Sequence, residues 1–160
     1  MTETTNSPSS NTGSWTNPTY AYADDTNYAS SATNTQTHTY SGYGFSLTGE
    51  TITKVEAGYI AYCATNDKLT VEISWDGGTN WASTGNITLT TTPPSSPTYY
   101  DFTSATTWTA TKLSDTYLRI RITQIKQGGQ DTTYVDWLPV RVTHNTPSAW
   151  SGYSQGVIIG

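Results

Sequence analysis

Charge and cysteine are what this chain has least of. Only 12% of its 160 residues are charged, with 7 Lys and Arg against 12 Asp and Glu, for a net charge of −5. So small and acidic a complement excludes an electrostatic grip on nucleic-acid phosphates or on an anionic membrane surface. Cys63 is the single cysteine, so no internal disulfide can form and no thiolate metal cluster can be built. With one Met as well, the sparing use of oxidisable side chains is what a hot or harsh habitat favours. Long apolar runs are absent too, and no stretch is long enough to insert into a membrane. The first residues, MTETTNSPSSNTG, have neither a charged n-region nor an apolar h-region. The expectation is a chain used without signal-directed export, as a virion protein is, or a mature form whose signal was removed.

Catalytic patterns are equally scarce. His38 and His144 lie far apart in Thr-rich settings, without H-x-x-x-H spacing, and read as surface histidines rather than metal ligands. No G-x-S-x-G elbow accompanies the many serines. Glycoside hydrolysis needs two carboxyl groups across a cleft, and the acids here are adjacent or sit on solvated strand faces. A non-catalytic protein is expected.

What the chain does have is 6 Trp and 12 Tyr among many Thr, Ser, Asn and Gly, too many aromatics for a disordered segment. Period-two alternation is clearest in Lys68–Trp75, where Leu69, Val71 and Ile73 alternate with Thr70 and Glu72, and in Tyr117–Ile125, where Leu118, Ile120 and Ile122 alternate with Arg119 and Arg121. Asp76-Gly77-Gly78 supplies a sharp turn after the first. Further strands are expected near Trp15–Ser30, over Gly42–Leu47, Ile52–Ala64, Asn86–Thr91 and Tyr99–Phe102, and over Tyr134–Thr143. In the last of these Asp136 shares a parity with Leu138, Val140 and Val142, opposite Val135 and Trp137, and Pro139 demands an edge or a bulge. No amphipathic helix appears. About eight strands predict an all-β chain, a single antiparallel β-sandwich of jelly-roll type over 15–143. Residues 1–14 read as an extended N-terminal arm ordered by a neighbouring subunit, and 144–160 as a C-terminal extension.

Three sets of candidate site residues follow. Asp24, Asp25 and Asn27 share one loop, and Asp136 has core parity, so a structural Ca2+ could neutralise them; the alternative is that Asp24 and Asp25 cap a turn while Asp136 bonds to backbone or to a Tyr hydroxyl. Trp81 and Trp108, with Trp75 and Trp150 as further platforms, could stack on sugar rings, with Asn, Asp and Gln reading hydroxyls; the alternative is that Trp75 and Trp137 belong by parity to the core and that Trp residues at strand ends close the sandwich. Trp150, Tyr153 and the apolar tip Val157, Ile158 and Ile159 could drive assembly by adding a strand to a neighbour's sheet edge. Asn86-Ile87-Thr88 is a glycosylation sequon if the chain is secreted.

Trp15-Thr16-Asn17-Pro18 with Ala23-Asp24-Asp25 and Tyr28-Ala29, then Ser74–Trp81, then Val135–Val142, together resemble a β-sandwich module recurrent in virion and surface proteins of thermophiles and their viruses. The resemblance implies a jelly-roll domain that decorates a capsid or tail, partnered by itself or by a major capsid or filament protein on the virion surface. An extracellular filament or surface-layer subunit is the second expectation, and a glycan-binding module the third. An acidic and aromatic groove would favour the glycan reading, and apolar end patches would favour assembly.

Overall fold

The two strands with the strictest alternation find each other. Antiparallel pairing sets Ile120 opposite Ile73 and Ile122 opposite Val71, and all four side chains are fully buried. Each such aliphatic side chain contributes about 1.5–3 kcal/mol by leaving water. The computed structural model describes residues 1–128 and 131–146. Among these, twelve strands form two six-stranded antiparallel sheets. One sheet contains β1 (Thr2–Asn6), β3 (Ala29–Ser31), β5 (Thr51–Cys63), β9 (Thr98–Asp101), β11 (Thr133–Trp137) and β12 (Val140–Asn145). The other contains β2 (Ser10–Gly13), β4 (Thr37–Ser41), β6 (Lys68–Ser74), β7 (Ala82–Ser83), β8 (Ile87–Thr88) and β10 (Arg119–Ile125). Single 3-10 turns at Pro18–Ala21 and Thr103–Ala105 are the only helical segments among the described residues. The core lies between the sheets, where Val55, Ala57, Val140 and Val142 face Leu69, Val71 and Ile120. The chain is an all-β, jelly-roll-like sandwich, with more and shorter strands than the eight expected.

β5 is the spine of its sheet. β12 runs along its first half and β11 along its second, while β9 takes the opposite edge, since Ala57 pairs with both Val140 and Tyr100. The register slips by one residue between Val135 and Trp137, so Asp136 is the extra residue of a bulge. That slip corrects the expected parity. Val135 joins Leu138, Val140 and Val142 in the core, and Asp136 turns its carboxylate to the 24–27 loop. Pro139 lies inside the sheet, at the break between β11 and β12. Its carbonyl accepts from Gly58 N–H at 2.7 Å, and its missing donor is the reason the two strands are separate.

Residues 1–14 are extended and are paired within the chain's own sandwich: β1 lies against β12 and β2 against β4. No neighbouring subunit is needed to order them. The strand expected over Gly42–Leu47 is a loop instead, because Gly42 and Gly44 adopt φ of 72° and 66°, which extended pairing does not allow. The strand is its predecessor, β4. It carries His38 and Tyr40 inward, so His38 is 1% and not surface-exposed, and His144 is likewise buried at 7%. Trp15 N–H donates to His38 Nδ1 and Asn11 Oδ1 faces His38 Nε2, which assigns the neutral Nε2–H tautomer. Burial holds the His38 pKa below its ordinary value.

Candidate functional site

The β6–β10 pairing has a consequence beyond the core. Because Ser74 sits opposite Arg119, the residues that follow β6 and those that precede β10 emerge together at one end of the sandwich. Asp76 builds the first loop: its Oδ1 accepts from the N–H groups of Thr79 and Asn80 at 3.0 and 2.8 Å, and its Oδ2 from Asn80 Nδ2 at 2.6 Å. These hydrogen bonds, the Asn80 N–H foremost, hold its carboxyl below the usual range. Gly77 and Gly78 at φ of 78° and 102° complete the turn, and Gly77 N–H bonds to the Tyr117 carbonyl at 2.9 Å. Trp75 and Tyr117 are thereby set beside a hollow of about 330 Å³ that also takes in Asp76, Thr111 and Lys112.

A larger cleft of about 750 Å³ opens alongside, between the 45–52 loop and residues 107–114. Thr111 lines both, and the Trp75 and Trp108 rings meet edge to face at 6.2 Å. The two spaces make one groove. Thr48, Thr107, Thr109 and Ser114 line the cleft together with the apolar Leu47 and Ile52 and the acidic Glu50. Gly44 N–H bonds to Asp115 Oδ1 at 2.7 Å, tying the two walls just outside the cleft, and Lys112 Nζ bonds to the Thr107 carbonyl at 2.9 Å within one wall. Arg119 donates to the carbonyls of Asp115, Thr116 and Leu118, holding the turn below Tyr117. Tyr117 is 40% exposed, one of few large aromatics so open to solvent.

The expected stacking residues lie differently. Trp108 lines the cleft but is only 8% exposed, with its Nε1 donating to the Phe102 carbonyl, so it has too little surface to stack a sugar ring. Trp81 is half-buried, with the Arg121 guanidinium 4.2 Å over its ring and its Nε1 bonded to the Gly78 carbonyl. One face is already taken. The groove aromatics that remain available, Trp75 and Tyr117, are far apart in sequence, and only the alternation that pairs β6 with β10 could have hinted at their meeting.

The acidic set comes together in part. Asp136 accepts the backbone N–H groups of Asp25 and Thr26 at 3.3 and 3.2 Å, and Asp25 Oδ1 accepts that of Asn27 at 3.1 Å. Asp136 is thus bonded to backbone amides, the contact that the turn-capping alternative describes, and these donors add no countercharge. Burial nonetheless lifts the Asp136 carboxyl above its ordinary pKa. No group of three or more His, Cys, Asp or Glu side chains converges among the described residues. Beside this loop Tyr62 and Tyr134 stack at 4.9 Å, and Tyr28 meets both edge-on. Trp150, Tyr153, Val157, Ile158 and Ile159 lie outside the described residues.

No family model matches the chain, and no curated protein sequence matches it. Solved structures do. A truncated AlyQ with CBM32 and alginate lyase domains superposes with a TM-score of 0.55 at 12% identity, over 90% of this chain and 34% of that one. The CBM32 of AlyQ in complex with 4,5-unsaturated mannuronic acid superposes with a TM-score of 0.52 at 14% identity, over 89% of this chain and 99% of that one. What is shared is the fold. The chain spans about a third of the first protein and nearly all of the second, so the likeness is to a single sandwich module.

Proposed function

We propose that this domain is a non-catalytic glycan-binding module that holds a saccharide in the groove between Trp75, Tyr117 and the hydroxyl-lined cleft. The observation that carries the reading is the groove itself: an exposed aromatic ring beside a partly buried one, continuous with a wall of threonine and serine hydroxyls. Sugar rings present apolar C–H faces that pack on aromatic rings, and their hydroxyls exchange hydrogen bonds with just such polar groups. Lys112 shares the groove with Asp76 and Glu50, so its lining carries no excess of positive charge and a neutral saccharide is the fitting ligand class. The likeness to a carbohydrate-binding sandwich supports this order of readings over the virion subunit expected first. A module of this kind works at an extracellular or virion surface, where glycans are met.

The test is a glycan array followed by calorimetric titration of the best binder. Tyr117→Ala, an exposed change that leaves the core intact, is expected to weaken binding by roughly tenfold, the loss of one stacked ring. Array silence across neutral and uronate glycans, or a Tyr117→Ala variant that binds as the parent does, would overturn the assignment.

A further inference from the structure

A sheet edge presents a row of unpaired N–H and C=O groups, and folded chains blunt such edges with very short strands, prolines, lysines or bulges. The edge strands here are blunted in these ways, with one exception. β3 has three residues and β7 and β8 two each, while β2 and β9 have four and follow closely on Pro8 and Pro97. β1 is different. Its five residues, Thr2–Asn6, pair with β12 in unbroken register from His144 to Val140, with no lysine, proline or bulge among them. β1 ends its sheet, and no described strand takes its outer side. Thr2, Glu3 and Thr5 are exposed.

We propose that β1 is an interface between two copies of this chain, which join edge to edge by antiparallel β1–β1 pairing about a two-fold axis. The register follows from parity and charge. Backbone groups point alternately in and out along a strand, so in such a pair the axis passes through a residue rather than between two. An axis at Glu3 would set two carboxylates opposite each other. An axis at Thr5 would leave Thr2 and Glu3 without strand partners. An axis at Thr4 sets Thr4 against Thr4, Glu3 against Thr5 and Thr2 against Asn6. It uses all five residues, and no like charges meet. A five-residue edge is small beside a permanent interface, so the pair is a reversible one that forms as concentration rises.

The pairing also has a direction. Asn145 at the end of β12 lies opposite Thr51, which lines the cleft, and Thr2 lies opposite His144. β1 therefore starts at the groove end of the sandwich and runs away from it. Antiparallel pairing of two such strands sends the two grooves to opposite ends of the dimer. On the glycan-binding reading, on which this last step rests, the dimer bridges two saccharide chains instead of gripping one chain twice.

The test is sedimentation equilibrium of the full chain, without saccharide, from about 10 µM to about 1 mM. A reversible monomer–dimer equilibrium is expected. Thr5→Glu sets like charges opposite each other twice and is expected to weaken the dimer by about 2- to 30-fold, whereas Thr5→Lys sets opposite charges there and should tighten it by a similar factor. Both changes fall at an exposed position, and the far-ultraviolet spectra should match the parent's. Ile158→Lys, in the apolar tip, is expected to change nothing. The register is read by cross-linking: Glu3→Cys and Thr5→Cys chains, mixed and air-oxidised, should join to each other faster than either joins to itself. A parent that stays monomeric, a dimer that both Thr5 variants leave untouched, or one that Ile158→Lys breaks would overturn the proposal. So would cysteine variants that each prefer their own kind. Every readout is made without saccharide, so a silent glycan array would remove the bridging role and leave the interface standing.

Discussion

Glu56→Gln tests how an outward-facing charge network contributes to the fold. The Glu56 side chain is 7% exposed, with Arg141 Nε at 2.9 Å from Oε2 and Lys54 Nζ at 2.7 Å from Oε1. Breaking a fully buried ion pair costs about 3–5 kcal/mol, whereas exposed pairs contribute about 1 kcal/mol or less. The cations here are 26% and 44% exposed and can rehydrate when the carboxylate is lost. An intermediate cost of about 1–2 kcal/mol at pH 7 follows. Burial raises the Glu56 pKa, but hydrogen bonds from Arg141 and then Lys54 outweigh it, and the net shift is downward. A carboxyl depressed in the folded state stabilises above its unfolded pKa of about 4.3, and that contribution is lost as pH falls through the folded value. Gln mimics the protonated acid. The gap between parent and variant in urea unfolding, followed by tryptophan fluorescence, is therefore expected at pH 7 and should close near pH 3. Equal midpoints at pH 7, or a gap that persists in acid, would refute the reasoning.

Gly58→Ala is expected to destabilise by about 1–3 kcal/mol in the same assay, because a Cβ there would meet Pro139 Cγ and Tyr99 Cε1 at 2.8 Å each. Tyr99 also carries the Arg141 guanidinium 3.7 Å over its ring, so part of the Glu56 network should loosen with it, visible as a smaller Glu56→Gln effect in the double variant. Cys63 is fully buried, and burial pushes its thiol pKa up, so a thiol reagent at pH 8 should label it only as fast as the protein opens; rapid labelling of the native chain would contradict that burial.

Some of this was legible in one dimension. Leu69, Val71 and Ile73 against Leu118, Ile120 and Ile122 announced two half-buried strands, and Asp76-Gly77-Gly78 announced the turn that ends in Trp81. β1, β2 and β4 were harder to see. TETTN and SNTG are polar throughout, and a strand at a sheet edge is held by its backbone, which leaves no apolar mark in the side chains. In THTYS the alternation existed, but a histidine among threonines reads as polar until Asn11 and the Trp15 N–H are found on its ring. Asp136 is buried, as its parity suggested, but a bulge, which leaves no signal in the sequence beyond the nearby Pro139, turns its carboxylate to the 24–27 loop.

The sequence by itself determined the class of the protein. Low charge, one cysteine and period-two apolar patterning suit a two-layer β-sandwich held by burial rather than by disulfides, since alternation decides which face of a strand leaves water. Only the tertiary structure decided where its surfaces lie. Trp75 meets Tyr117 because strand register brings together residues that no local pattern connects. Periodicity reports burial one strand at a time; a groove is a property of several strands at once.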